Sequence, residues 1–463
     1  MLRKNSDKRH LFGTDGIRGL VNTEPMTSHT ALALGAALTY LLRTERVSGR
    51  KPKVVVGKDT RLSGDMLLAA VASGVMSQGG DVFEADTLPT PGLANLTAST
   101  RADAGIVISA SHNPYEDNGI KIFDGQGYKL PDEIEVKLEE LMTCASINKE
   151  MLPEPHAVGR TFPVRDAVGR YVVSLKNTFP KNLSLEGLTI VLDCANGAAY
   201  KSAPSVFEEL GATCHVLAAN PDGFNINLNT GALHPEVAAQ KVRETGADLG
   251  VALDGDADRA IFIDAQGKVV DGDQIMFICA SHLKKKGQLL RDSMVATIMS
   301  NMALEIALKE DGIFLFRAPV GDRYVAELLR KKGLNFGGEK SGHLIFLDHA
   351  TTGDGTLAAL QTLSVMKESG ASLAELAGQV KPFPQVLINV RVAKPSEVEN
   401  HPQVGLLLEE YKQKLGDKGR LILRPSGTEP VVRVMMEGED EKEISFLAQE
   451  CAQRVSSFLR LKL

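Results

Sequence analysis

The sequence predicts three related α/β domains with mixed, largely parallel sheets and a C-terminal α+β domain, set around a central cleft. Three observations carry this. Short Val- and Ile-rich runs alternate with amphipathic stretches from about Lys53 to about Glu368, the rhythm of strand–helix–strand crossovers that build parallel sheets. One segment recurs: Ala102-Asp103-Ala104-Gly105-Ile106-Val107-Ile108-Ser109 aligns with Ala247-Asp248-Leu249-Gly250-Val251-Ala252-Leu253-Asp254. The last stretch, after Lys381-Pro382-Phe383-Pro384, breaks the rhythm. A chain of 463 residues also suits several domains at roughly 150 residues each.

In order along the chain, Lys53-Val54-Val55-Val56-Gly57 predicts a strand and Ser63 to Gln78 a helix. Asp81-Val82-Phe83 begins the next strand, and Ala104 to Ser109 forms another. The rhythm restarts at Leu188 to Leu192 and again at Ser293 to Thr297. Leu334 to Gly337 is a third strand-like segment that hands over to a polar loop, as both copies of the repeat do. Ligands of open α/β sheets bind beyond the carboxyl ends of strands, so these loops stand where chemistry is expected. The tail predicts a strand at Val386 to Val392, a helix, a hairpin around Pro425-Ser426-Gly427-Thr428 and a terminal helix from Glu441. The domains so drawn are 1–163, 164–263, 264–380 and 381–463.

Apolar residues make up 43% and charged ones 24%, which excludes disordered, collagen-like and disulfide-stapled classes. The 52 basic and 58 acidic residues are well mixed at a net charge of −6, so no field for polyanions exists. With aromatics at 5% and no Trp there is no base-stacking surface, and no nucleic-acid partner is expected. Met26 to Leu42, a long uncharged stretch, is too short and too polar to cross a bilayer, so no membrane partner is expected either. Met1 to Ser6 leads into charge rather than an apolar signal core, and the five scattered cysteines contain no C-x-x-C pair. A cytoplasmic protein with reduced thiols is the expectation.

Four motifs carry chemistry. Ser109-Ala110-Ser111-His112-Asn113-Pro114 puts serines on a strand-end loop, ten residues before Lys121 when counted from Ser111; taken alone it reads more readily as a polar turn than as a nucleophile. In Asp254-Gly255-Asp256-Ala257-Asp258-Arg259, three carboxylates at alternate positions can converge on one hard cation, Mg²⁺ or Ca²⁺. It is no EF-hand, because Ala265 stands at the twelfth position. Gly338-Glu339-Lys340-Ser341-Gly342-His343 offers Glu339 and Ser341 to hydroxyls of a sugar-like ligand and His343 to a proton. Arg424-Pro425-Ser426-Gly427-Thr428-Glu429-Pro430, with Arg433 beyond, supplies arginine forks, hydroxyls and backbone N–H groups for a phosphate. A cation, a serine, a polyol reader and a phosphate clamp fit phosphoryl transfer on a phosphosugar.

These motifs, preceded by Leu11-Phe12-Gly13-Thr14-Asp15-Gly16-Ile17-Arg18-Gly19, stand in the order seen in α-D-phosphohexomutases, and the resemblance spans essentially the whole chain. Asp271 to Met276, Ser300-Asn301-Met302, Gly321 to Val325 and Arg433 to Gly438 look like the bacterial branch that acts on glucosamine phosphates. The resemblance implies an isomerase-class enzyme whose Ser111, the serine before the His, is a phosphoserine. Mg²⁺ would be held by Asp254, Asp256, Asp258 and the Ser111 phosphate. Glucosamine 6-phosphate would pass through glucosamine 1,6-bisphosphate, intermediate and activator, to the 1-phosphate, for amino-sugar and cell-wall precursor synthesis. Arg18, Lys121 and His343 would move protons or stabilise charge. Arg259, Glu339 and Ser341 would read the sugar, and Arg424, Ser426, Gly427, Thr428 and Arg433 the non-reacting phosphate. Ala257 stands where the family more often has Gly. Rival readings are a glucose- or mannose-phosphate mutase, a metal-dependent sugar phosphatase and a non-catalytic sugar-phosphate sensor. A homodimer is one assembly open to such a chain.

Overall fold

The apolar runs become strands of four separate sheets in the computed structural model, which describes residues 10–13, 15–45, 49–143, 152–392, 395–399, 401–425 and 430–459. The first sheet holds β1 (Ile17–Leu20), β2 (Lys53–Lys58), β3 (Asp81–Thr87), β4 (Ala104–Ile108), β5 (Asp117–Asp124) and β6 (Thr161–Pro163), in the order β1-β5-β4-β2-β3-β6. β2 runs parallel to β3 and β4, whereas β5 is antiparallel to both β4 and β1. Val54, Val55 and Val56 are wholly buried, as expected of a central strand covered on both faces. The helices Ser28–Thr44 and Gly64–Ser77 cover one face and pack closely on each other. Glycine makes this possible: a Cβ at Gly35 would stand 2.3 Å from the Val71 carbonyl oxygen, and one at Gly74 2.1 Å from that of Leu32.

The second sheet contains β7 (Thr189–Asp193), β8 (Thr213–Leu217), β9 (Leu249–Leu253), β10 (Ala260–Asp264) and β11 (Val269–Val270), ordered β11-β10-β9-β7-β8. The domain edge drawn at 263 falls inside β10. The β10–β11 hairpin carries this sheet on to Val270, because the turn at Asp264 to Lys268 returns the chain to the same sheet. The third sheet has β12 (Ser293–Thr297), β13 (Phe314–Ala318), β14 (Phe336–Gly338) and β15 (Leu344–Phe346), ordered β13-β12-β14-β15. β14 begins two residues later than the sequence suggested. The Asn335 side chain is committed elsewhere, donating to the Gln288 carbonyl at 2.9 Å and accepting from the Leu290 N–H at 3.1 Å.

All three sheets share a device. A strand inside the sheet (β4, β9, β14) is paired antiparallel with the strand that follows it in the chain (β5, β10, β15). The connecting loops, 109–116, 254–259 and 339–343, are three of the four motif-bearing segments of the sequence.

The chain divides into two compact units, Met1–Met299 with Gly312–Gly378, and Ser300–Asp311 with Gln379–Leu463. The larger holds the three mixed sheets. Within it, Arg323 on the helix Asp322–Lys332 is buried against Glu135 and Asp132 of the helix Asp132–Thr143. Its Nη1 lies 2.9 Å from Glu135 Oε2, and Nη2 bonds Oε1 of the same carboxylate. Removing Glu135 leaves the buried guanidinium with Asp132 as its one remaining carboxylate among the described residues, and Nη2 without its partner. Glu135→Ala is therefore expected to cost about 3 kcal/mol, the low end for breaking a buried pair, read by chemical denaturation.

The smaller unit carries the antiparallel sheet β16 (Gln385–Arg391), β17 (Gly419–Pro425) and β18 (Val431–Gly438), ordered β16-β18-β17. The helices Pro402–Leu415 and Glu441–Phe458 bury Leu407, Tyr411, Ile444 and Cys451 against it. Asn301 belongs here too, donating from Nδ2 to the Phe383 carbonyl at 2.9 Å. Four cysteines (Cys194, Cys214, Cys279, Cys451) are free among the described residues, and no described helix is long and apolar enough to cross a membrane.

Candidate active site

Loops 109–116 and 254–259 meet, and Ser111 is where they touch. Its side chain is buried, and its φ of +53° lies in the left-handed region that residues with a Cβ disfavour. The Oγ donates to Asp254 Oδ2 at 2.6 Å, and His112 Nδ1 stands 3.4 Å away. Burial, with Arg259 and Arg18 nearby, pushes the His112 pKa down to about 4, so the ring is neutral beside the serine at neutral pH.

Asp254, Asp256 and Asp258 are all buried, and each offers a carboxylate oxygen within 4.8 Å of the others. Three anions packed so closely out of water need a countercharge. Burial, Asp258 and Asp256 push the Asp254 carboxyl well above the usual range. Asp258 goes the other way: against the upward push of burial, Lys121 and His343 hold it well below that range. Lys121, reaching in from β5, lies 2.8 Å from Asp256 Oδ2, 3.5 Å from Asp258 Oδ2 and 3.0 Å from Asp15 Oδ2. These carboxylates overcome its desolvation and keep it protonated. Thr90 Oγ1 completes the second oxygen of Asp256 at 2.6 Å. The first oxygens of Asp256 and Asp258 are buried with no hydrogen-bond partner. Three hard carboxylates, two of them with an unused oxygen, fit a hard divalent cation.

His343, at the end of loop 339–343, is buried between two carboxylates, with Nδ1 3.6 Å from Asp258 and Nε2 3.4 Å from Asp322. They raise its pKa against the opposing effect of burial. Asp322 pairs with Lys129, and Lys129 with Asp15. His343 Nε2 also accepts from the Gly353 N–H at 3.1 Å, and Lys121, Asp15, Lys129, Asp322, His343 and Asp258 close a ring of alternating basic and acidic side chains. Arg18 on β1 pairs with Asp15, and Arg259 lies 3.7 Å from Asp258.

Family models cover nearly the whole chain: phosphoglucomutase/phosphomannomutase alpha/beta/alpha domain I over residues 9–148, domain II over 169–267, domain III over 271–383 and the C-terminal domain over 387–454. A phosphoglucosamine mutase of Citrifermentans bemidjiense is 53% identical over 451 residues, 97% of this chain and 98% of its own. The chain belongs to the phosphoglucomutase/phosphomannomutase family. It is thereby an isomerase-class phosphohexomutase. A family protein from Burkholderia thailandensis has the same fold, with a TM-score of 0.80 at 22% identity over 96% of this chain and 97% of that one. An Aspergillus fumigatus N-acetylphosphoglucosamine mutase, solved with GlcNAc-6P and magnesium, matches with a TM-score of 0.67 at 16% identity, covering 98% of this chain and 97% of that one.

Among phosphohexomutase motifs, the structure brings Ser111, the three aspartates, Arg18, Lys121, Arg259 and His343 to one place. Glu339 is partly buried on the same loop as His343, accepts from the Gly321 N–H at 3.2 Å and interacts electrostatically with Arg259; burial raises its pKa. Ser341, two residues on, is exposed. In the smaller unit Arg424 and Arg433 stand directly opposite each other on β17 and β18. Ser426, Gly427 and Thr428 lie outside the described residues. Ala257 has a φ of +56°, so the residue that replaces the family's more frequent Gly occupies a conformation that favours Gly.

Sequence reasoning assigned no role to Asp15, Thr90, Lys129 or Asp322. Asp15 and Asp322 sat inside quoted motifs, but nothing near Lys129 marked it.

Behind this cluster Asp354 caps the helix Gly355–Ser369, accepting from the Leu357 N–H at 2.9 Å and from the Tyr171 hydroxyl at 2.8 Å. Burial raises its pKa to about 6 in spite of those bonds. A carboxyl whose pKa is higher folded than unfolded adds stability below about pH 4 and loses it as pH rises to about 6. Asp354 should therefore account for a loss of up to about 3 kcal/mol across that window, and Asp354→Asn should show a slope shallower by that amount. Denaturation at several pH values reads the difference.

Proposed function

We propose that this phosphohexomutase interconverts glucosamine 6-phosphate and glucosamine 1-phosphate through a phosphoserine at Ser111. The observation that carries the reading is the Ser111 Oγ at 2.6 Å from Asp254, in a left-handed turn facing three buried aspartates. The glucosamine preference is supported by the name of a relative 53% identical over 98% of its length.

Phosphorylated Ser111 gives its phosphoryl group to the free C1 hydroxyl of the 6-phosphate sugar. The Oγ–P bond breaks, an O1–P bond forms, and the sugar hydroxyl's proton passes to the departing serine Oγ by way of the neutral form of His343, the buried imidazole of the cluster. The 1,6-bisphosphate turns over, the O6–P bond breaks as Ser111 Oγ takes that phosphoryl and its hydroxyl proton passes to O6, and the 1-phosphate leaves. Lys121 and Arg18 place fixed positive charge beside the transferring group, which in phosphoryl transfer supplies much of the catalysis. Asp254, Asp256, Asp258 and an oxygen of the serine phosphate would hold Mg²⁺, whose charge offsets that of the phosphoryl oxygens when it is bound. Arg259, Glu339 and Ser341 read the sugar. Arg424 and Arg433, with Ser426, Gly427 and Thr428, hold the phosphate that does not react, by forked donors that suit either isomer. Such an enzyme works on cytoplasmic precursors of amino-sugar polymers.

Side-by-side coupled assays on the 6-phosphates of glucosamine, glucose and mannose test the reading. Glucosamine 6-phosphate should give the highest kcat/KM, with dependence on trace bisphosphate. Inorganic phosphate appearing at the rate of turnover would make the protein a phosphatase, and faster conversion of glucose or mannose phosphate would reassign the substrate.

A further inference from the structure

Arg61, between β2 and the helix Gly64–Ser77, has a side chain with no solvent exposure. A guanidinium carries five N–H donors, and here every one finds an acceptor. Nε donates to Asp59 Oδ2 at 2.9 Å. Nη2 donates to the carbonyls of Ser111 at 2.9 Å and Asn113 at 2.8 Å, and Nη1 to those of Asp117 at 3.0 Å and Pro114. The Asp59 carboxylate also accepts from Ser109 Oγ at 2.6 Å, and Ser109 Oγ accepts from the Ser111 N–H at 2.9 Å. Both faces of the Ser111 peptide are thus tied to one buried ion pair. A second hold comes from loop 225–229 of the second domain, where Asn227 Nδ2 donates to the same two carbonyls, Ser111 at 2.9 Å and Asn113 at 3.0 Å.

The loop has to be held. Four carbonyls turned to one side, and a serine at φ +53°, form a conformation that persists only where its surroundings impose it. A planar fork fixes the directions of the groups it binds, whereas an ammonium offers one point of charge and three freely rotating donors. We infer that Arg61, seconded by Asn227, is a positioning residue of phosphoryl transfer, holding the serine loop in the turn that aims Ser111 Oγ at the aspartates. The inference rests on Ser111 as the phosphoryl carrier. All five donors of Arg61 are committed to Asp59 and the loop, so it acts on the transfer step and leaves sugar binding alone.

The test uses Arg61→Lys, Asn227→Ala and Ser111→Ala in the full chain, each incubated with hexose 1,6-bisphosphate labelled in its phosphates. The readouts are the rate of label transfer to protein, kcat and KM for glucosamine 6-phosphate, and Tm. Arg61→Lys should slow labelling and kcat together by about 100-fold, the scale of a reacting group displaced by an ångström, with KM within about twofold. Asn227→Ala, at a partly exposed left-handed position, should slow the same two by roughly tenfold with Tm lowered by only a few degrees. Labelling of both variants at the parent's rate, or a loss confined to KM, overturns the inference. If Arg61→Lys fails to fold, Asn227→Ala decides by the same criteria. Label on Ser111→Ala would instead overturn the serine assignment itself.

Discussion

Ser111→Ala protein is expected to take up no phosphate from a sugar bisphosphate and to lose about 10⁴-fold or more of its kcat, the scale seen when a covalent nucleophile is deleted. The fold should survive, because the loop is held through its carbonyls and the Ser111 N–H, none of which the substitution touches. The lost hydroxyl donates only to Asp254 among carboxylates, and that group already sits in a burial-raised state which tolerates a proton. Peptide mass analysis of parent and variant after bisphosphate treatment checks the modification, and a coupled assay checks turnover. Full activity in the alanine protein would end the phosphoserine reading, and Ser109, bonded to Asp59 instead, could not inherit the role without rebuilding the loop.

Asp256→Asn is the second large effect. One oxygen of Asp256 is taken by Lys121 and Thr90, while the other is buried without a partner. Asparagine keeps the volume but removes an anion from the set facing the cation and turns the Lys121 contact neutral. We expect kcat to fall about 10³-fold, comparable with losing a main electrostatic element of an active site. A second readout does not depend on turnover. At free Mg²⁺ a hundredfold above its dissociation constant, the parent should gain about 2.7 kcal/mol of stability, and the variant at the same concentration should gain far less. Equal Mg²⁺-dependent shifts in Tm for the two proteins would remove Asp256 from the metal site.

Ser293 to Thr297 and the start of the terminal helix near Glu441 were legible, because a buried run or an amphipathic repeat states its own structure locally. Ser111 and the three aspartates were legible for a related reason: each lies on one short loop whose composition makes little sense in a core. The ring through Lys129 was not. Its partners lie 114 and 193 residues away, and no periodicity reports which side chains a topology will bring together. Arg61 was hidden in the same way, since its acceptors are carbonyls some 50 residues on and carbonyls have no sequence signature. The domain edge at 263 fell inside β10 because a two-residue strand, Val269–Val270, gives almost no signal of its own.

The antiparallel pair at the working end of each of the three large sheets has a consequence for descent. Each pair clamps both ends of its loop at a separation set by strand spacing alone, whatever the loop contains. Copies of one ancestral unit could then drift in those few residues while the sheets beneath stayed interchangeable. On the function proposed above, one loop would carry the phosphoryl group, one would hold the cation and one would read the sugar, a division of labour among siblings. On that reading selection on substrate would act mostly on the third loop, with Arg259 the one sugar reader on the second, so changes of sugar preference within such a lineage belong first to residues 339–343.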